Sequence, residues 1–211
     1  MGLSVVVPAY NEEGYLAKTL ESVKNQEFKN FELIVVCNGC TDGSEGIARK
    51  YTDNVFTIKE KNVSKARNFG AAKAKNAFLV FLDADTLLGE GVLGKVNKVV
   101  LKDRYFGTAK GKGEGFRNGA YLGFKNIINK FLPWNQGFVY CDKRSFFEVG
   151  GFNSNLLKGE LRDFFSKAKG KYKRINVYVE PSDRRVKEWG LRKLIKYWLF
   201  EKKKKDYDAV R

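Results

Sequence analysis

The sequence predicts one α/β domain in which a mostly parallel sheet is covered by helices. Three observations carry this expectation. Short apolar runs alternate with helical patterns over the first half of the chain, as a parallel sheet with crossover helices requires. One of those runs, Phe78–Leu82, is apolar at every position and suits a central strand buried on both faces. Finally, 211 residues accommodate one substantial core and are few for two enzyme domains, while a 43% apolar share with 17 Phe provides the surface that offsets ordering entropy.

The elements follow in order. Leu3–Val7 is the first strand, and Asn11 is expected to cap a helix that lines up Tyr15, Leu16, Leu20 and Val23 on one face. Phe31–Cys37 is the second strand, ending at the turn Asn38-Gly39, after which Asp42 opens a helix. Val55–Ile58 makes a short third strand. Ser64 is expected to cap a helix running through Ala66, Phe69 and Ala72, and Phe78–Leu82 is the next strand. Beyond Asp85 a helix is predicted near Val92–Leu101, and the glycine- and lysine-rich stretch from Lys110 to Gly119 reads as a mobile loop. Apolar runs resume at Phe138–Cys141, Phe146–Val149 and Ile175–Val179. With no internal repeat or linker, the chain divides only into a main α/β unit over 1–181 and a basic, helical C-terminal extension of the same domain over 182–211.

A formal net charge of +16 with no histidine points to an anionic partner: nucleic acid, an acidic membrane surface or a phosphorylated substrate. Without histidine, catalysis falls to carboxylates, Lys, Tyr or Cys. The three cysteines, with no signal-peptide pattern after Met1-Gly2, are expected to be reduced thiols in a cytoplasmic protein. No apolar run approaches the roughly 18 to 20 residues that span a bilayer, so any membrane association is expected to be peripheral, at the inner face of the cell membrane.

Asp83-Ala84-Asp85 lies where the buried strand runs out, at the carboxyl edge of the sheet, where α/β proteins bind ligands. Hard divalent cations take carboxylate oxygens and keep positions open for substrate phosphates. The triplet therefore suits a metal or the ribose beside it, although acids after strands also serve as plain helix caps.

Here the residues resemble a known family. Val5-Val6-Val7-Pro8-Ala9-Tyr10-Asn11-Glu12-Glu13 is similar to the opening motif of the family 2 glycosyltransferases, and Cys37-Asn38-Gly39-Cys40-Thr41-Asp42-Gly43-Ser44 to their second motif. Ser64-Lys65-Ala66-Arg67-Asn68-Phe69-Gly70, Phe81-Leu82-Asp83-Ala84-Asp85 and Gly150-Gly151-Phe152-Asn153 follow in the family's order and spacing. The resemblance implies a Rossmann-like GT-A fold and an inverting transfer from a UDP- or GDP-sugar to a glycan or lipid-linked acceptor, usually with Mg2+ or Mn2+. It places Pro8, Ala9, Tyr10, Glu12 and Asn38 on the nucleoside, Arg67 near the nucleotide, Asp83 near ribose or sugar, and Asp85 on the metal. Arg184-Arg185 resembles a paired arginine that reaches the donor diphosphate in some members, a task suited to the bidentate guanidinium fork.

Two departures stand out. Where the second motif usually carries a pair of acids, this chain has Cys37 and Asn38; the amide keeps one donor and one acceptor group for base recognition. Where the family commonly shows adjacent Glu-Asp, this chain reads Gly159-Glu160-Leu161-Arg162-Asp163. Leu161 accepts no proton, which leaves Glu160 or Asp163 as the base, or an acceptor phosphate that is already ionised and needs none.

After Ser182-Asp183-Arg184-Arg185, a helical pattern sets Leu191, Leu194, Ile195, Trp198 and Leu199 on one face and Arg192, Lys193 and Lys196 on another, followed by Lys202–Lys205. This face either docks on an anionic membrane surface or packs on the domain. Cys37-Asn38-Gly39-Cys40 invites a redox or zinc reading, but only Cys141 remains to add a ligand. A nucleic-acid module is the alternative that charge suggests; no recognised motif accompanies it, so no nucleic-acid partner is expected. The altered base motif also fits a transferase-like protein without activity.

Overall fold

The computed structural model describes residues 1–102, 105–113, 115–128, 137–156, 159–168, 171–184 and 186–190. The elements run β1 (Leu3–Ala9), α1 (Leu16–Lys24), β2 (Phe31–Asn38), α2 (Ser44–Arg49), β3 (Val55–Ile58), α3 (Val63–Lys73), β4 (Phe78–Leu82) and β5 (Thr86–Leu88). They continue with α4 (Val92–Val100), β6 (Tyr105–Phe106), β7 (Lys110–Gly111), α5 (Gly115–Ile128), β8 (Phe138–Asp142) and α6 (Lys143–Glu148). The last are α7 (Glu160–Lys167), β9 (Lys171–Tyr172) and β10 (Tyr178–Pro181).

The main sheet has the order β3-β2-β1-β4-β8, parallel throughout except for the edge strand β8, which runs antiparallel to β4. The chain winds outward from β1 through β2 to β3, then returns to place β4 on the other side of β1. The strand order therefore reverses between β1 and β4, and their carboxyl ends flank the crevice in which open α/β sheets bind ligands. As the unbroken apolar run predicts, every residue of β4 is buried.

Alternation along the strands divides the core in two. Val5, Val7, Leu33, Val35, Val80 and Leu82 pack with Leu16, Leu20 and Val23 of α1 and with Val92, Leu93 and Val96 of α4. On the other face Val6, Ile34, Val36, Leu79 and Phe81 meet Ala66 and Ala71 of α3 and a group of aromatic rings. Phe81, Phe146, Phe152 and Phe164 sit there with centroids 5.0 to 5.5 Å apart. Each such buried ring contributes roughly 1.5–3 kcal/mol. Together they fix α6 and α7 against β4 and so set where α7 begins. Helix α3 presses directly on the sheet at Gly70, where any Cβ would collide with Val6.

A second sheet, β5-β10-β7, has β10 antiparallel to β5 and parallel to β7; β6 and β9 form a separate parallel pair. Pro181 pairs with Thr86, so the chain leaving β10 passes beside Asp85.

Several expectations are corrected. Asn11 does not cap α1: it takes a left-handed conformation (φ 52°) and turns its side chain to Thr41, while the helix opens after Tyr15 without a side-chain cap. Asn62, rather than Ser64, caps α3 by accepting from the Lys65 amide, and the Ser64 hydroxyl is buried with no partner among the described residues. The stretch from Lys110 to Gly119 is not loop throughout, since it holds β7 and the first turn of α5. Pairing with β10, and packing of Tyr121 and Leu122 on Val186, outweigh the low helix propensity of its glycines. Phe146–Val149 enters α6, and only the end of Ile175–Val179 pairs as strand. Arg185 and the predicted amphipathic helix from Leu191 onward lie outside the described residues. Among the described residues no helix is long and apolar enough to cross a membrane.

Candidate active site

The loops after β1 and β2 are laced together by backbone amides that meet side-chain oxygens. Thr41 donates to Oδ1 of Asn11 at 2.8 Å and Gly43 to Oε2 of Glu13 at 2.9 Å. In return Glu12 donates to Oγ of Ser44 at 2.8 Å and Glu13 to Oδ2 of Asp42 at 3.1 Å. Pro8 and Ala9 close β1 and Asn38 closes β2, with Asn38 only 2% exposed. The Lys61 ammonium lies 5.3 Å from the centre of the Tyr10 ring. The first two motifs thus form one wall of the crevice.

The three cysteines are free. Cys40 donates from Sγ to the Ala9 carbonyl at 3.2 Å. A hydrogen bond from Cys37 brings the Cys40 thiol down to about 7. The same bond, with burial, pushes Cys37 up, and burial raises Cys141. Iodoacetamide is therefore expected to alkylate Cys40 first, at a rate that climbs through pH about 7 as the thiolate forms. Peptide mapping checks this, and equal labelling of Cys141 would contradict it. Among the described residues no group of three His, Cys, Asp or Glu side chains could hold a metal, which leaves the zinc reading without support.

Two arginines gather the acids. Arg67, on α3, is 5% exposed and donates to Oδ1 of Asp83 at 2.6 Å and to Oε1 of Glu160 at 3.1 Å. Burial works against its charge, but Asp83 and Glu160 outweigh burial and hold its pKa above the ordinary value. Asp83 is 33% exposed and Glu160 15%, so both keep an open side toward solvent. Arg184 is the second. It forms a two-pronged contact with Glu12, both bonds 3.2 Å, and reaches Oδ2 of Asp85 at 3.0 Å.

The third and fifth motifs meet through Asn68. Its amide donates to the Phe152 carbonyl at 2.8 Å and accepts from the Phe152 amide at 2.9 Å. Gly151 is needed beside it: φ is 67°, and a Cβ would lie 2.8 Å from Oδ1 of Asn68. This clamp sets the chain that leads into α7 and Glu160. Asp163, the other base candidate, pairs within its own helix with Lys167 at 2.7 Å. Leu161 is buried in the aromatic core.

One residue at this site escaped the sequence reading. Ser182 donates from Oγ to Oδ2 of Asp85 at 2.7 Å, and its amide donates to the Asp85 carbonyl at 2.9 Å. A hydroxyl two residues before the arginine pair was the available signal, but only the pairing of β10 with β5 reveals its partner.

The residues suit a divalent ion held jointly with a substrate. Oδ1 of Asp85 has no hydrogen-bond partner among the described residues. One or two carboxylates completed by substrate phosphates are the ordinary arrangement for Mg2+, which seldom occupies an all-protein cage.

Comparison with known proteins gives the family and the fold. Residues 4–153 match the family model "Glycosyl transferase family 2". The chain is 42% identical over 101 residues to the minor teichoic acid biosynthesis protein GgaB of Bacillus subtilis, covering 44% of this chain and 11% of that protein. GgaA of the same organism is 29% identical over 202 residues, covering 84% of this chain and 45% of that protein. The chain thus spans between about a tenth and about half of these two relatives. Among solved structures, S. aureus TarS 1-349 in complex with UDP-GlcNAc superposes with a TM-score of 0.69 at 22% identity, over 86% of this chain and 59% of that one. The mannosyltransferase PcManGT from Pyrobaculum calidifontis, in complex with GDP-Man and Mn2+, gives 0.71 at 16% identity over 84% and 56%. At these identities the two structures speak for the fold, which is GT-A. By the family model, which matches residues 4–153 of its 211, the chain belongs to glycosyl transferase family 2.

Proposed function

We propose that this chain transfers a sugar from a nucleoside diphosphate sugar to an acceptor hydroxyl, inverting the anomeric carbon, with Glu160 as base. The observation that carries this reading is the Arg67 bridge, which holds Asp83, at the end of β4, next to Glu160, at the start of α7. In this reading a donor-side acid and an acceptor-side acid would share one arginine.

The nucleoside would rest on Pro8, Ala9, Tyr10 and Asn38, with Glu12 beside it and Asp83 toward the ribose or sugar. Glu160 takes the proton of the acceptor hydroxyl as its oxygen bonds to the anomeric carbon. The bond to the diphosphate breaks, and the nucleoside diphosphate departs with the electron pair. Arg184, and Arg185 by its resemblance, would face the diphosphate oxygens. Asp85 would hold Mg2+ or Mn2+, which when bound supplies charge that stabilises the leaving diphosphate. Support for the donor class comes from TarS and PcManGT, which bind UDP-GlcNAc and GDP-Man. A net charge of +16, and relatives named for teichoic acid biosynthesis, favour an anionic glycan or lipid-linked acceptor at a membrane surface.

Calorimetric titration with a panel of nucleoside diphosphates and their sugars, with and without Mn2+, tests the reading. One nucleotide is expected to bind with micromolar, metal-dependent affinity; silence across the panel would overturn the transferase assignment. In the same system Glu160→Gln is expected to keep donor binding and lose roughly 10²–10⁴-fold in transfer rate. Full activity in that variant would instead point to an acceptor phosphate that needs no base.

A further inference from the structure

Glu12 and Asp85 belong to segments far apart in the chain, yet one guanidinium joins them. Arg184 spends both terminal nitrogens on the pair and lies 4.9 Å from the centre of the Tyr15 ring. Its Nε is buried and has no hydrogen-bond partner among the described residues. A buried N–H without an acceptor is costly, so the guanidinium is not at its best in this position. Ser182 ties the same segment to Asp85 through both hydroxyl and amide.

We propose that Arg184 is a resident cation of the donor site. It neutralises Glu12 and Asp85 while donor is absent, and yields Asp85 to a divalent ion when ion and nucleoside diphosphate enter. This rests on the reading of Asp85 as the ion's ligand. Charge stays paired throughout the exchange, because the ion takes over the carboxylate that Arg184 releases while Arg184 keeps its two-pronged contact with Glu12 and turns Nε and the freed side of Nη2 to a diphosphate oxygen. The Nε that lacks an acceptor would then find one on phosphate. Two consequences follow from linkage: the ion alone meets the positive charge of Arg184 already paired with the same carboxylate and binds weakly, whereas ion and nucleotide bind cooperatively.

The test reads Mn2+ binding by electron paramagnetic resonance, first with the ion alone and then with UDP and GDP as probes. R184Q is expected to bind Mn2+ alone about tenfold more tightly than the natural chain, and to bind nucleotide at saturating Mn2+ about tenfold more weakly. Equal or weaker Mn2+ binding in R184Q overturns the proposal. If the Mn2+ difference is present but neither protein binds a nucleotide, the transferase reading fails and the cation exchange stands. Should R184Q not fold, hydrogen exchange of the natural chain decides. Amides of 182–190 are expected to exchange faster with Mn2+ alone and slower again once nucleotide is added, and indifference to Mn2+ overturns the proposal.

Discussion

Arg67→Met is expected to destabilise the protein by about 3 kcal/mol, because removing one partner of a buried ion pair leaves the others uncompensated. At roughly 2–4 °C per kcal/mol for a domain of this size, the thermal midpoint should fall by roughly 6–12 °C. Methionine keeps most of the volume beside Phe152, whose ring centre lies 5.4 Å from the guanidinium carbon, so the loss is chiefly one of charge. The abandoned carboxylates differ in exposure: Asp83, 33% exposed, regains water more readily than Glu160, 15% exposed. Adding Glu160→Gln to Arg67→Met should therefore recover part of the stability, and a double-mutant cycle by thermal unfolding measures the coupling. Simple additivity of the two changes would show that Arg67 and Glu160 do not act as a unit. The single variant should also lose transfer activity, since among the described residues no other side chain bridges Asp83 and Glu160.

Asp85→Ala is expected to abolish the metal-dependent part of donor affinity, by about a hundredfold or more, while leaving the fold intact. The fold should survive because Glu12 keeps its two-pronged contact with Arg184, and because the Ser182 amide bonds the Asp85 main chain rather than its side chain. Titration should then give the same nucleotide affinity with and without Mn2+. A retained metal dependence would remove Asp85 from the ion's shell. Asp85→Asn separates charge from shape: it preserves an acceptor for Ser182 and is expected to fail nearly as badly as alanine.

The sheet was the most legible part of the chain, and the run Phe78–Leu82 shows why. A strand buried on both faces has a local signature, since it is apolar throughout and short. Capping was less legible. Asn11 and Ser64 have the composition of helix caps, but hydrogen-bond competition decides which polar side chain takes an orphan amide. Thr41 claimed one and Asn62 displaced the other. The Lys110–Gly119 stretch misled for a related reason. Glycine lowers helix propensity, and contacts with β10 and Val186, remote in sequence, overrode it.

The candidate site divides along the same line. The alternation of strands and helices, the position of Asp83 and Asp85 at a strand's carboxyl end, and the motif residues that carry the family resemblance are all legible in the sequence. These are properties of local pattern and spacing, which each segment expresses by itself. The partners emerge from the folded chain alone: Arg67 between Asp83 and Glu160, Arg184 between Glu12 and Asp85, and Ser182 on Asp85. Those pairings join residues up to 172 positions apart, and they arise where β1 and β4 meet and β10 folds back on β5. Distance along the chain carries no record of such proximity, because it is set by which apolar faces bury one another.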